Sequence, residues 1–478
     1  MYYFQSLANI GKVCYYICNR IHKQMVPIIS GSLLFRSCYT EDNYMKLLMI
    51  HAWNENETSY RGRFSGLLSY PSMTLAVLYS LVPKGMFERV DTVDENSQRV
   101  DYDSVHYDLV MISFETSSAF SGYKHCDAFR ARGSYVVVGG YHPTAMRDEA
   151  AEHADTVIAG PAENSVPQFF SDFAAGCPKP FYRDYNVCMS DHPIPAREIT
   201  TKKHTLGIPA VIADRGCFNN CSYCSMRTMW KSDPRPVDGV IEELRGLKSK
   251  LVIFYDPNFF GKREYALRLM SAMKPLKKLW ACNATADFGY DHELMAAAYE
   301  SGCRGVLIGL ESLSSSSLGD ARKNFRQADK YKEIIDNIHS HGMAVNGCFV
   351  LGFDSDTEEE LLELPERIDR LGLDLCRFSV LTPYPGTRLY RDLDESGRIT
   401  TKQWDRYNQH NAVFSPTNMT AARLDEIYRD VWKRAFRWKR IFHRMRVSPW
   451  RHNAYIFILL GANLGFKFLG IDKKYRKK

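Results

Sequence analysis

No low-complexity tract and no short-period repeat runs through this 478-residue chain, so it reads neither as a disordered polymer nor as a repeat array. Its 13 cysteines are odd in number and scattered, which argues against a disulfide framework and fits a reducing compartment. Residues 1–44 carry Arg20, His22 and Lys23 among short apolar runs, but no clean apolar core with a small-residue cleavage site, so they do not read as a secretory leader. Either Met45 is expected to be the true start, or residues 1–44 are expected to be a loosely attached extension or a short interfacial helix pair. Acid is nearly absent from the end of the chain: Lys433–Lys478 holds 14 Lys or Arg against Asp472 alone. That stretch carries +13 of a net +7, leaving a mildly acidic body. This distribution excludes a general nucleic-acid surface and points to a local anionic partner.

What is present is ordinary globular material, 45% hydrophobic and 24% charged, with length enough for about two to four domains. Residues 45–175 alternate short β-branched runs (Lys46–His51, Val90–Asp94, Leu109–Ser113, Tyr135–Gly139, Thr156–Ala159) with helical patterns such as Ser72–Val82 and Tyr123–Arg132. Such alternation predicts an open, doubly wound parallel sheet. Residues 176–204 are Pro-rich and read as a linker. A second βα series fills 205–382, with strands expected at Pro209–Asp214, Leu251–Tyr255, Leu279–Ala284, Gly305–Ile308, Val345–Leu351 and Leu375–Leu381. Six right-handed βα units in series predict a barrel or part-barrel. Residues 383–478 read as a mostly helical, aromatic and basic region.

One cysteine cluster stands out, Arg215-Gly-Cys217-Phe-Asn-Asn-Cys221-Ser-Tyr-Cys224, just after the first strand of the second series. Three thiolates in eight residues can hold an iron–sulfur cubane, whose full set would be four. A structural zinc site also closes with four ligands, and no nearby Cys or His supplies the fourth. A cubane with one iron left open is what the amino and carboxylate groups of S-adenosylmethionine (SAM) chelate.

The Cys-x3-Cys-x2-Cys spacing, with Tyr223 before the last cysteine, resembles the signature of radical SAM enzymes. Over about residues 205–400 other pieces fall in the family's order. Phe254-Tyr-Asp256-Pro-Asn258-Phe259 resembles the second-strand motif near the methionine end of SAM. Gly309-Leu-Glu311-Ser312 resembles the fourth-strand motif near its ribose and methionine. Gly347-Cys-Phe-Val-Leu-Gly352-Phe-Asp354 resembles the fifth-strand stretch that lines adenine. Taken singly, Asp256 and Asn258 could cap a turn, Glu311 could be a loop carboxylate, and the glycines could serve packing.

In the first domain Gly139-Gly140-Tyr-His142-Pro143 follows a strand, and the next strand ends at Gly160-Pro-Ala-Glu163. Open parallel sheets bind ligands at the carboxyl ends of their strands. A doubly wound domain before a radical barrel resembles the cobalamin-binding radical SAM family, many of whose members are methylases. The resemblance implies cobalamin contacts at Ser113, Gly139, Gly140, His142, Gly160 and Glu163. The Asp-x-His-x-x-Gly motif that supplies an axial histidine is absent, so cobalt is expected without a protein histidine, and His142 is expected in a turn. The family's usual Gly-Glu-Gly-Glu reads Gly160-Pro161-Ala162-Glu163 here, a departure that weakens the cobalamin expectation.

The apolar run Ala454–Ile471 spans 18 residues, the lower limit for a membrane crossing, and Asn463 and Lys467 interrupt it. With basic residues on both sides it predicts contact with an anionic membrane surface, a helix packed on the barrel, or a spanning segment. The expected protein is an α/β enzyme with a Rossmann-like cobalamin domain, a partial (β/α)6 barrel and a helical C-terminal region. Its expected cofactors are a 4Fe–4S cluster, SAM and cobalamin. Its expected partners are a small-molecule or lipid substrate and an electron donor such as flavodoxin or ferredoxin. It is expected in the cytoplasm, peripherally at the inner face of the membrane, with radical methylation of an unactivated carbon as its reaction. Radical cyclisation, oxidation or rearrangement is the alternative chemistry, and a non-catalytic corrinoid or iron–sulfur sensor the alternative class.

Overall fold

The computed structural model describes residues 45–54, 72–199, 208–323 and 327–469; the expectation for residues 1–44 and the last basic residues lie outside these. Two six-stranded, wholly parallel sheets organise the chain. The first has the order β2-β1-β3-β4-β5-β6, with β1 Met45–His51, β2 Phe87–Asp94, β3 Leu109–Ser113, β4 Tyr135–Gly139, β5 Thr156–Ala159 and β6 Phe181–Arg183. Its order doubles back at β1, so helices cover both faces. Leu48, Ile50, Val110, Ile112, Val136 and Val138 bury one face, and Leu47, Met49, Leu109, Met111, Val137 and Ile158 the other. This two-sided burial is why these strands read as unbroken apolar runs. β6 comes from the segment expected as a linker: Phe181–Arg183 pairs with Val157–Ala159 at the sheet's edge.

The second sheet runs in sequence order, with β7 Ala210–Val211, β8 Leu251–Phe254, β9 Leu279–Ala284, β10 Cys303–Glu311, β11 Ala344–Leu351 and β12 Leu375–Val380. Here burial alternates. Phe254, Trp280, Cys282, Ile308, Phe349 and Phe378 are packed in a core shared with the flanking helices, while Ile253, Asn283, Leu307, Asn346, Cys348 and Val350 are half-exposed. One face of a parallel sheet is therefore free to meet a ligand. β7 is shorter than expected because the amides of Ala213 and Asp214 leave the ladder and donate to the Asp256 carboxylate, at 2.8 and 2.9 Å.

The C-terminal region joins both sheets. Trp404, Tyr407 and Val413 pack on the first core, while the helix Ala421–Ala435, capped by Thr420, packs on the second.

Candidate active site

The cysteine loop leaves β7 through a braced turn. Asp256, fully buried beyond β8, holds two backbone amides, and Asp214 accepts from the amides of Gly216 (3.0 Å) and Asp233 (3.1 Å) and from the Ser232 hydroxyl (2.7 Å). A β-carbon on Gly216 would lie 1.9 Å from the Ser232 nitrogen, so only glycine lets the two strands of the turn meet. On the far side the Ser222 amide donates to the Ala321 carbonyl at 3.1 Å, and the Leu389 amide to the Ser222 carbonyl at 2.9 Å. The loop is thus held by three distant segments before any metal binds.

Cys217, Cys221 and Cys224 are free and half-buried. Burial pushes the Cys221 thiol up to about 11, Lys323 pulls it back, and Glu311 and the other two thiols push it further. Burial raises Cys224 as well. Thiols so close would deprotonate on meeting iron, since a metal ligand must be a thiolate. Among the described residues no three Cys, His, Asp or Glu side chains close on one point as they would around a single ion. A cubane instead spreads its thiolates over separate irons. The residues fit a cluster held by three cysteines.

Beside the loop stands a buried pair the sequence reading missed: Lys323 Nζ donates to Glu311 Oε1 at 2.7 Å. Glu311 sits at φ +64, a left-handed conformation uncommon for glutamate, at a register shift where β10 leaves the ladder. A β-carbon on Gly309 would stand 2.2 Å from that carboxylate oxygen and 2.9 Å from Lys323 Nζ, so glycine there makes room for the pair. Tyr223 is turned edge-on to Phe353, ring centroids 6.0 Å apart; burial foremost, then Glu311, raises its hydroxyl's pKa. Nothing in the spacing of Lys323 marks it, because it lies on a loop 12 residues after Glu311.

The remaining SAM candidates divide. Asn258 donates to Thr285 Oγ1 at 3.1 Å, and its buried Oδ1 has no hydrogen-bond partner among the described residues, a polar atom ready for a ligand. Ser312 accepts from the Ser314 amide at 3.1 Å, just past the Glu311 kink. Asp256 has a different task from the one expected, bracing the cysteine loop. Gly347 faces packing: its β-carbon would meet Leu373 at 2.6 Å and Leu310 at 3.1 Å. Gly352, at φ +108, turns the chain under Leu424, and its amide donates to Asp356 at 2.8 Å.

In the first domain Ser113, Gly139, Gly140 and Gly160 gather at the carboxyl ends of β3, β4 and β5. Gly140 has φ +102, and a β-carbon there would stand 2.6 Å from the Phe114 carbonyl oxygen, so glycine lets the two backbones meet. Gly160 is closed over by the Tyr185 ring, 2.9 Å from where its β-carbon would be. Two expected contacts face elsewhere. His142 is wholly buried between Thr116 (3.3 Å), Glu149 (3.5 Å) and the Trp404 ring, so the C-terminal region covers it. Glu163 is also buried; it accepts from His192 Nδ1 at 3.0 Å and pairs with Arg215, two residues before Cys217. Arg215 in turn lies over the Trp230 ring at 4.4 Å. Burial opposes ionisation of Glu163, but His192 and Arg215 outweigh it and hold the carboxyl at about 2. The first sheet and the cluster loop are therefore clamped. Tyr141 adds a second tie, its hydroxyl donating to the Pro385 carbonyl at 2.7 Å and lying within electrostatic reach of Cys224.

A family model of the radical SAM superfamily matches residues 211–368. The bacteriochlorophyllide d C-12(1)-methyltransferase of Chlorobaculum tepidum is 28% identical over 400 residues, covering 80% of this chain and 86% of the relative. The C-8(2)-methyltransferase of the same organism is 29% identical over 400 residues, covering 79% and 88%. The radical SAM methyltransferase TsrM from Kitasatospora setae, solved with cobalamin and a 4Fe–4S cluster, shares the fold: TM-score 0.63 at 13% identity, over 82% of this chain and 89% of that one. Residues 211–368 thus carry a radical SAM domain, and the chain is an enzyme whose cofactors are a 4Fe–4S cluster and SAM. Both relatives are methyltransferases, and the TsrM structure holds cobalamin.

Proposed function

We propose that this enzyme methylates an unactivated carbon with cobalamin held at the strand ends of the first domain. The observation that carries the reading is the clamp: Glu163 with Arg215 joins those strand ends to the cysteine loop, and Tyr141 with Pro385 joins them to the loop after the last strand of the second sheet. In this reading residues 45–175, with the edge strand Phe181–Arg183, form a Rossmann-like cobalamin domain, the rest of 176–204 leads into a partial (β/α)6 barrel at 205–382, and 383–478 form a C-terminal cover. When bound, the cluster and SAM supply a 5′-deoxyadenosyl radical, and cobalamin supplies the methyl group.

The chain's own residues hold and shield. Cys217, Cys221 and Cys224 hold the cluster. Glu311, held in place by Lys323, and the open Oδ1 of Asn258 would orient SAM. The half-exposed face of Asn283, Leu307, Asn346 and Cys348 gives the substrate a mixed apolar and polar wall. Gly139 and Gly140 would let backbone approach the corrinoid, and His142, being buried, would not serve as its ligand. The two relatives act on a bacteriochlorophyllide, so a flat, largely apolar macrocycle is the first substrate class to test, ahead of other lipids. An external flavodoxin or ferredoxin would deliver the electron, and the enzyme would work in the cytoplasm against the inner membrane face.

The test is anaerobic reconstitution with iron, sulfide and hydroxocobalamin, followed by desalting and optical and EPR spectra. One corrinoid and one cluster retained per chain, with label moving from methyl-labelled SAM to product, is the expected result. SAM cleavage without corrinoid retention would replace methyl transfer with cyclisation, oxidation or rearrangement. Absence of cleavage under reducing conditions would leave the sensor reading.

A further inference from the structure

The outward faces of the last two described helices are unlike the rest of the surface. Among the described residues, five of the eleven large hydrophobic residues that are exposed lie between Trp438 and Phe468. On the helix Trp438–Val447, Trp438 and Phe442 stack at 6.0 Å, and Phe468 of the helix Ile456–Leu469 meets Trp438 edge-on at 6.5 Å. Phe457, 73% exposed, and Ile458, 52%, extend the apolar surface at the other end of that helix. Lys467 lies over the Trp438 ring at 5.0 Å. Solvent would not select such a grouping.

The inner faces explain why these helices do not cross a membrane. Asn463, which interrupts the apolar run, is fully buried: it accepts from buried Arg444 at 3.1 Å and donates to the Asp374 carbonyl at 3.2 Å. Lys467 donates to the Phe436 carbonyl at 2.9 Å, and Trp432 Nε1 to the Phe466 carbonyl at 3.1 Å. The polar residues that break the hydrophobic pattern pin the helix to the body of the protein. No helix among the described residues is long and apolar enough to span a bilayer.

Charge decides what covers the outer face. From Lys433 to Leu469 the sequence holds no Asp or Glu. Arg434 and Arg440 are neutralised from the neighbouring helix by Glu366 and Asp369, whereas Arg437, Lys439, Arg446 and Arg451 are exposed with no carboxylate partner among the described residues. Aromatic rings beside uncompensated basic chains, on helices already anchored from behind, match an interface of headgroups and acyl chains. We infer that the outer faces of Trp438–Val447 and Ile456–Leu469 form one docking surface for an anionic lipid bilayer. It would present the enzyme to an apolar substrate and rests on the proposed function only for that purpose.

The test uses the full-length, reconstituted protein and flotation with vesicles of phosphatidylcholine, with or without about 30% phosphatidylglycerol. Deletion of the helix is unsuitable, since Leu459, Asn463 and Phe466 are packed inward. Two sets of exposed substitutions serve instead: Trp438→Ser with Phe442→Ser and Phe468→Ser, and Arg437→Glu with Lys439→Glu and Arg446→Glu. Binding should require the anionic lipid and weaken with salt. Each set should lower it by more than about tenfold while SAM cleavage, which certifies the fold, is unchanged. If the aromatic set fails to fold, the charge set decides alone. Wild-type protein that ignores anionic vesicles, or variants that bind as well as it does, overturns the proposal. Self-association lost in the aromatic set, without vesicle binding, would make the occupant a second copy. Loss of SAM cleavage in the wild type would sink the proposed chemistry and leave the vesicle result standing.

Discussion

The two sheets are built from the same kind of strand and do different work. In the first, both faces are sealed by helices and by Trp404 and Tyr407 from the C-terminal region, so it can offer a ligand only its strand ends. In the second, one face is sealed and the other half-exposed, so ligands can meet both its ends and its face. The first sheet can carry a large cofactor at one edge without adapting its core, while the second must keep polar residues such as Asn283 and Asn346 on an open wall. Substitutions should therefore be severe and chemical in the second sheet, and geometric in the first.

The largest effect tests whether the second sheet's chemistry rests on its loop. Replacing Cys217, Cys221 or Cys224 by Ala should abolish cluster reconstitution and SAM cleavage, because two thiolates cannot hold the cubane. Iron content and the cluster's visible absorbance report this directly, and a near-normal cluster in any of the three would contradict the assignment. Next is Lys323→Met. It strands the Glu311 carboxylate beside Cys221 without its cation, at a cost of about 3–5 kcal/mol. SAM affinity by equilibrium dialysis should fall while the cluster still assembles. Unchanged affinity would make the pair a packing feature only.

The sheets and the cluster loop were legible for different reasons. β-branched runs such as Val136–Val138 announce buried parallel strands, and the cysteine spacing announces a cluster, because both signals are local. What joins the parts is not local. Glu163 finds Arg215 across 52 positions, and Trp404 reaches Glu149 across 255. No periodicity encodes such pairs, so Glu163 and His142 read as cofactor contacts when their side chains are committed to other segments. Gly347 and Gly352 show a related ambiguity, since a glycine required by a neighbouring leucine looks in sequence like one required by a ligand.

The clamp itself sharpens the comparison. Glu163→Gln keeps the shape but leaves Arg215 buried without its counter-charge, and should destabilise the fold by about 3 kcal/mol at neutral pH. The folded carboxyl sits at about 2, below its ordinary 4.5, so the unfolded chain binds more protons between those values. Its contribution is complete above about pH 4.5 and is lost as pH falls through 2. Wild-type and variant melting curves should differ most at neutral pH and converge in acid. Parallel pH profiles would mean that the carboxylate's charge carries no stability. The variant should still build its cluster, while corrinoid retention falls because the strand ends are no longer held to the loop.

The smallest effect is expected at His142. In sequence it follows the strand-end glycines as a candidate cobalamin contact, yet its ring is wholly buried, and the Trp404 ring lies 5.1 Å away. His142→Phe keeps the ring-filled volume, removes the contacts to Thr116 and Glu149, and should cost about 1 kcal/mol of stability. Nε2 has no hydrogen-bond partner among the described residues, so little is lost there. Glu149 keeps its bond from Trp404 Nε1 at 2.8 Å and is not stranded. The spectrum of retained cobalamin should be the same in variant and wild type, without nitrogen hyperfine structure on reduced cobalt. A nitrogen-ligated spectrum that disappears in the variant would mean that the histidine leaves its pocket when the cofactor binds. The first sheet would then not be the rigid partner that its two sealed faces imply.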